Sequence, residues 1–354
     1  MIFHDIKKIL VIKLRHIGDV ILTIPVFRAL RENFPDAFIC ALVNSGTEEV
    51  LTGNPLIDRI TVFDRNIKTK ILIRKIRGEL SFLRKIRAEG FDMTVDLTSG
   101  DRAAIISFIS RANYRIAYNP GKGFWGKRHI YTHLAKSKGD QHAVMKNLDA
   151  VRQFGIDTSN LSIDIFIPEK ERQSVKEALR ENGIKEGDVV AHVHPTSRWL
   201  FKCWRADYFA EVIKWMIHRR IKVVVTASPD INEMEEAKRI LSLAPRTNLL
   251  DLCGRTTIKA LAAVSEASNF FLGVDTAPMH IAAAVGTPVI ALFGAGEKNW
   301  RPWGEGHIVI SKEKGKRNGG MSREEYVSKN LAEIKPEEVI MAIRDKLSKY
   351  SLIK

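Results

Sequence analysis

Cysteine is scarce in this chain of 354 residues. The three present, Cys40, Cys203 and Cys253, are odd in number and scattered, so they offer neither a disulfide framework nor metal-like spacing. No apolar run approaches the roughly 20 residues that a bilayer span requires. The opening segment MIFHDIKKILVIKL alternates like a strand and lacks a small-residue cleavage site, so a cytoplasmic protein is expected. Helix-turn-helix, RNP and zinc-finger patterns are missing, as are internal repeats and low-complexity tracts, which argues against a nucleic-acid partner. Two short motifs are near misses. GKGFWG at 121–126 has dinucleotide-type glycine spacing and GKGFWGK approaches a P-loop, yet Arg128 stands where Ser or Thr is needed. That segment follows Asn119-Pro120, no apolar strand is read leading into it, and it is expected to be a basic loop. His129 and His133 have no Glu between them and no third ligand, so no metal site is expected.

Acidic residues are the minority: 41 Asp and Glu stand against 56 Lys and Arg, a net charge of +15. Such a field attracts anions, whether nucleic acid, acidic lipid or a phosphorylated substrate, and cannot choose among them. One stretch concentrates it. Lys68, Lys70, Arg74, Lys75, Arg77, Arg84, Lys85 and Arg87 interleave with Ile71, Ile73, Ile76, Leu80, Phe82, Leu83 and Ile86, the pattern of a basic amphipathic helix over 68–87. Such a helix is either the solvated outer face of a packed helix or a contact with an anionic membrane.

The length exceeds what one hydrophobic core serves, so two domains are expected. Strand-like runs near 8–14, 38–43, 93–97, 189–193, 221–226, 269–273 and 289–293 alternate with helical patterns, which predicts α/β domains with parallel sheets. Many runs are apolar throughout, as strands covered on both faces must be. The boundary is expected within DTSNLSIDIFIPEKE, residues 157–171, with one short strand there. This divides the chain into 1–165, 166–335 and a terminal helix, 336–354, that could return to the first domain.

Four places gather polar chemistry at expected strand ends. In GVDTAPMHIAAAVGTPVIALFG (273–294) a strand runs into Asp275-Thr276 and then a short helix, whose free N–H groups around Thr276 to Met279 suit an anion. Pro278 fits the first turn, and Gly286 fits a left-handed position after the last. An ordinary βαβ unit would read the same way. In KKILVIKLRHIGDVILTIP, Gly18 and Asp19 fall where a strand becomes a helix, the place where open α/β sheets build their sites. Asp19 is either a helix-terminal carboxylate or a general base. In HPTSRWLFKCWRAD, the Thr196 and Ser197 hydroxyls and the Arg198, Lys202 and Arg205 cations suit pyrophosphate oxygens, whereas Trp199 and Trp204 serve equally well as packing. Glu233, near the start of the next helix, either favours that helix electrostatically or accepts hydrogen bonds from a sugar.

With Asp19 in LRHIGDVILTIP, Lys202 in HPTSRWLFKCW and Asp275 in GVDTAPMH, the chain resembles the lipopolysaccharide core heptosyltransferases of glycosyltransferase family nine over nearly its whole length. It is most similar to the type that adds the third heptose. This resemblance implies a GT-B fold, two Rossmann-like domains facing across a cleft, with acceptor bound by the first and nucleotide sugar by the second. It implies ADP-heptose as donor, a lipid A-core heptose as acceptor and transfer of heptose III onto heptose II. Asp19 would be the catalytic base and Lys202 the phosphate ligand, with Thr196 and Ser197 as its hydroxyl pair. Asp275, Thr276, Ala277, Pro278 and His280 would form the family's Asp-Thr loop, although Ala277-Pro278 departs from the Gly and larger apolar residue of some relatives. Glu233 would meet the sugar and Thr256 would lie near the nucleotide.

An inverting displacement follows, with Lys202 and the helix after Asp275 stabilising departing ADP and no essential cofactor or metal. Arg15, His16 and Arg102 are candidate acceptor-phosphate ligands or plain surface cations. The helix at 68–87 and the loop at 119–129, with Phe124 and Trp125, are candidates for resting on the anionic inner membrane. The competing readings are another nucleotide-sugar transferase or epimerase of similar fold and, more remotely, a basic protein that binds anionic surfaces without catalysis.

Overall fold

The computed structural model describes residues 3–64, 72–119, 121, 123–313 and 320–348, without the side chains of residues 72–75. The chain divides into two compact units, Met1–Phe166 and Ile167–Lys354.

In the first unit KILVIK forms β1 (Lys8–Lys13), buried from its second residue onward, and FICALVN forms β2 (Phe38–Asn44), buried in the same way. β3 (Arg59–Phe63), β4 (Met93–Asp96), β5 (Tyr114–Tyr118) and β6 (His133–Ala135) complete a six-stranded sheet in the order β3-β2-β1-β4-β5-β6, every ladder parallel. α1 (Ile17–Ile21), α2 (Ile24–Asn33), α3 (Leu72–Ala88), α4 (Asp101–Ile109) and α5 (Ala143–Arg152) supply the crossovers. Leu10, Ile12, Cys40 and Leu42 point to one face, against Ile86, Phe91, Ala103 and Ile106. Their neighbours Ile9, Val11, Ile39 and Ala41 are equally buried and point to the other, since side chains alternate along a strand.

The second unit repeats the plan. Its strands are β7 (Val190–His194), β8 (Lys222–Val225), β9 (Leu249–Asp251), β10 (Phe270–Val274), β11 (Val289–Phe293) and β12 (Ile308–Ser311), all parallel in the order β12-β11-β10-β7-β8-β9. Numbered within each unit, both sheets run 3-2-1-4-5-6, the Rossmann order, in which the sense of winding reverses between the first and fourth strands. The helices are α6 (Glu169–Glu181), α7 (Ala206–His218), α8 (Ile231–Leu243), α9 (Ile258–Glu266), α10 (Ala277–Ala284), α11 (Glu297–Trp300), α12 (Arg323–Glu333) and α13 (Pro336–Ser348). Phe270, Leu272 and Val274 join α7, α8, α12 and α13 on one face of the sheet, while Phe271 meets Met279, Ala282 and Ala283 of α10 on the other.

Several expectations change. The segment at 157–171 contains no strand: its carbonyls are taken by an arginine instead of a ladder. Arg28 on α2 donates to Asn160 O (3.1 Å) and Ser162 O (2.6 Å) and grips both Asp164 oxygens (3.0 and 2.9 Å). The terminal helix α13, left free to return to the first domain, buries Val339, Ile343 and Leu347 in the core of the second unit. β3, β5, β6, β9 and β12 were not anticipated. β5 leads directly toward the 121–126 glycines, contrary to expectation, although a short 3₁₀ turn at Lys127–Ile130 follows in place of a phosphate-binding α-helix. α3 accounts for most of the basic stretch expected over 68–87. Lys68, Lys70 and Ile71 lie outside the described residues, as do Pro120 and Lys122.

Candidate active site

In the second unit the polar residues collect beyond the carboxyl ends of four adjacent strands, β10, β7, β8 and β9. At their centre Lys202, in the loop after β7, donates from Nζ to Asp275 Oδ2, after β10, at 2.5 Å. Those two strands are the first and fourth of the unit, so the pair bridges its topological switch point. β10 and β7 can lie this close because Gly273 has no side chain: a Cβ there would stand 2.7 Å from His194 O. Thr276 is the N-cap of α10 in extended conformation, Pro278 sits in the first turn, and Gly286 takes φ +79° after the last. The Thr276 Oγ1 atom is buried and has no hydrogen-bond partner in the protein. It stands beside the unpaired N–H groups of the helix start, where an anionic oxygen would satisfy both. Ala277 and Pro278 are half-buried at that start and His280 is buried in the turn behind it.

Thr196 and Glu233, expected to serve different parts of a ligand, are joined to each other. The buried Thr196 hydroxyl donates to Glu233 Oε2 at 2.9 Å. Burial pushes the Glu233 carboxyl up, and the Thr196 hydrogen bond opposes the shift. Asp230 caps α8 and accepts from the Glu233 N–H, which fixes the carboxylate's entry from the first turn. Ser197 Oγ accepts from Trp199 N (3.2 Å) and so shapes the Lys202 turn. Trp204 is core, its indole donating to Ile334 O at 3.1 Å, whereas Trp199 is half-exposed beside Arg198. Arg205 is engaged by Asp207. Thr256, half-buried, follows β9 immediately before Thr257, the N-cap of α9.

Behind this site lies a buried network that sequence reasoning missed. His192 and His194 of β7 flank Thr226, whose hydroxyl lies 2.7 Å from His192 Nε2 and 2.8 Å from His194 Nδ1; Ser265 Oγ stands 2.8 Å from His192 Nδ1. Burial pushes both imidazoles down, His194 to about 3, so they are neutral spacers under the loop that carries Thr196.

In the first unit the loops after β1 and β4, again first and fourth strands, are stitched together. Leu14 N donates to Thr98 Oγ1 (2.8 Å) and Arg15 to Thr98 O (3.1 Å). The buried Asp96 carboxylate accepts from Thr98 N (2.7 Å), Ser99 N (3.1 Å) and the Tyr131 hydroxyl (2.6 Å), holding Ser99 at φ +60°. Asp19 rises half-buried from the first turn of α1, with His16 as N-cap. Arg15 and His16 are exposed there. Arg102 lies 3.4 Å from Glu79 of α3 and stacks 4.8 Å over the Phe63 ring. Lys127 of the glycine-rich loop is occupied by Asp101 (3.0 Å) and Ser99 O (2.9 Å). His133 packs among Phe3, Tyr114 and Phe154, and among the described residues no three His, Cys, Asp or Glu side chains are grouped to hold a metal ion. Sequence reasoning also passed over Lys13. Its signal was a lysine ending a run of apolar strand residues, and its ammonium is buried.

Two Rossmann-like units, each gathering its polar groups at its own switch point, define a GT-B glycosyltransferase. Comparison with known proteins gives the family. The model of glycosyltransferase family 9 (heptosyltransferase) matches residues 79–326, and the chain belongs to that family. Lipopolysaccharide heptosyltransferase 3 of Escherichia coli K12 is 34% identical over 83% of this chain and 85% of its own. A family 9 glycosyl transferase from Veillonella parvula superposes with a TM-score of 0.82 at 24% identity, covering 98% of both chains. The E. coli heptosyltransferase WaaC with ADP superposes with a TM-score of 0.75 at 16% identity, covering 96% of this chain and 99% of its own.

Proposed function

We propose that this enzyme transfers heptose from ADP-heptose to a heptose of the lipopolysaccharide inner core, heptose III onto heptose II. The observation that carries the reading is the Lys202–Asp275 pair beside the unsatisfied Thr276 hydroxyl and the start of α10. Here one cation, one buried hydroxyl and free backbone N–H groups converge at a sheet switch point, a donor set matched to a nucleotide diphosphate. The similarity to lipopolysaccharide heptosyltransferase 3 supports the sugar and the acceptor.

The reaction is a single displacement. An acceptor hydroxyl oxygen attacks the anomeric carbon and the bond from that carbon to the diphosphate oxygen breaks. ADP leaves with the electron pair, Asp19 takes the hydroxyl proton, and the anomeric configuration inverts. Lys202 and the α10 N-terminus stabilise the charge that develops on the diphosphate. In this scheme Thr196 and Ser197 serve the diphosphate beside Lys202, Glu233 meets the sugar, and Arg15 and His16 receive acceptor phosphate. No metal ion is required in this scheme, so turnover should survive EDTA. The decisive experiment is incubation of the protein with ADP-heptose and an inner-core acceptor carrying two heptoses, together with mass spectrometry of core from cells lacking it. A core with its full heptose complement would refute the assignment.

The enzyme is further proposed to act in the cytoplasm at the anionic inner-membrane surface. No helix among the described residues is long and apolar enough to cross a membrane. Support comes from α3, where Ile76 and Leu80 are half-exposed on the helix that carries Arg77, Arg84, Lys85 and Arg87, and from Trp125, 99% exposed. Co-sedimentation with vesicles containing anionic lipid should be strong at low salt and weaken as salt rises.

A further inference from the structure

The glycine-rich loop ahead of β6 closes over a buried charge. Lys127 is 4% exposed, and its ammonium lies 3.0 Å from Asp101 Oδ1 and donates to Ser99 O at 2.9 Å. Burying an ammonium is costly unless acceptors receive it, so these contacts hold the loop against the start of α4. Two glycines make the closure possible. Gly126 takes φ +84° at the N-cap of the 3₁₀ turn Lys127–Ile130, and Gly123 takes φ +135°, where a Cβ would stand 2.6 Å from both Asp101 Oδ1 and Lys127 Cδ. Tyr131 follows the turn, and its hydroxyl donates to Asp96 Oδ2 at 2.6 Å. One short segment therefore grips the loop after β4 from two sides. Lys127 takes the Ser99 carbonyl, while Asp96, anchored by Tyr131, accepts from Ser99 N (3.1 Å) and Thr98 N (2.7 Å). Ser99 needs such holding, since it lies at φ +60°, a region that a non-glycine residue enters at a cost. The neighbouring Thr98 carbonyl accepts from Arg15 Nη2 at 3.1 Å, and the Thr98 hydroxyl accepts from Leu14 N at 2.8 Å. A continuous line of contacts thus runs from Lys127 to the loop between β1 and Asp19.

We infer that Lys127 is a positioning residue for acceptor binding: by pinning Ser99 in its left-handed conformation it fixes the Thr98 carbonyl that aims Arg15. The inference rests on Arg15 receiving acceptor phosphate. Without the ammonium, Ser99 O loses its buried donor and Asp101 its counter-charge. Ser99 can then relax to negative φ, which turns the Thr98–Ser99 peptide and with it the carbonyl that Arg15 holds. Every member of this line belongs to the first unit, whereas the groups matched to the diphosphate belong to the second. Acceptor use should therefore suffer and donor use should not.

The test is steady-state kinetics with ADP-heptose and an inner-core acceptor carrying two heptoses, for the wild type, Lys127→Met, Arg15→Gln and the double variant. Lys127→Met should raise KM for the acceptor about tenfold, with KM for ADP-heptose within about twofold of wild type. Because the lysine acts through the arginine, the double variant should be no worse than Arg15→Gln alone. General loosening of the fold would not produce that non-additivity. An unchanged acceptor KM in Lys127→Met, equal losses for donor and acceptor, or losses that simply multiply in the double variant overturn the inference. Should Lys127→Met fail to fold, Tyr131→Phe, which removes one hydroxyl and keeps the ring, replaces it in the same cycle with the same outcomes. A wild-type acceptor KM in Arg15→Gln would remove the Arg15 reading and the inference with it, a result distinct from an Arg15 that matters and a Lys127 that does not.

Discussion

Lys202 and Asp275, 73 residues apart in sequence, meet at 2.5 Å across the switch point of the second sheet. Both side chains are about one-fifth exposed. In this arrangement the carboxylate orients the ammonium and also balances it, so the arriving diphosphate meets a lysine already in place. Loss of the lysine alone would leave a bare carboxylate facing an anion.

Lys202→Ala should therefore weaken ADP binding by about 10- to 100-fold, the scale of a hydrogen bond to a charged group together with the exposed repulsion. Adding Asp275→Asn should return part of that loss, because the repelling charge goes too. Isothermal titration of the single and double variants checks the sign.

Asp19→Asn should lower kcat by about 10² to 10⁴, the usual worth of positioned proton transfer. Asp19 is half-buried and its neighbours on α1 carry the packing, so the melting transition should stay within about 0.5 kcal/mol of wild type. Steady-state rates beside urea melts separate catalysis from folding. A fully active variant would exclude the assigned base.

Stability of the second unit should fall on acidification from pH 7 to pH 5. His192 and His194 are held neutral in the folded protein, His194 down to about 3, whereas in the unfolded chain each takes up a proton below about 6.5. The unfolded state binds more protons throughout that window, so the stability present above about 6.5 is lost as pH falls toward the folded values. Each histidine contributes a slope of about 1.4 kcal/mol per pH unit. Urea midpoints measured at pH 7, 6 and 5 test this, and a flat series would contradict it.

Gly273→Ala should destabilise by about 1–3 kcal/mol and reduce transfer with it. Its Cβ would stand 2.7 Å from the His194 carbonyl, between the two strands that carry Asp275 and the Lys202 loop. Thermal melting and ADP affinity should decline together.

The expected strands that formed are those buried on both faces, where an apolar run is compulsory. Four of the five missed strands, β3, β6, β9 and β12, lie at sheet edges, and the fifth, β5, lies next to one. Arg59–Phe63 is mostly half-exposed or exposed, so its sequence need not be apolar. The short strand expected within 157–171 did not form: Arg28 takes the Asn160 and Ser162 carbonyls and grips the Asp164 carboxylate. Arg102 was legible as a cation after a strand end, whereas its partners, Glu79 and Phe63, were not.

The sequence by itself determined the two α/β halves, the phosphate-suited turn at Asp275 to Pro278 and the placing of Asp19 where a strand becomes a helix, because each depends on residues near one another in the chain. Tertiary structure alone decided which of them meet. Lys202 with Asp275, Thr196 with Glu233 and Lys13 with Asn147 are joined across 73, 37 and 134 residues. The physical reason is the winding of the sheets. The order 3-2-1-4-5-6 sets the first strand beside the fourth, which brings Lys202 to Asp275, while parallel connections put the ends of β7 and β8 side by side for Thr196 and Glu233 and pack α5 back toward β1 for Lys13 and Asn147.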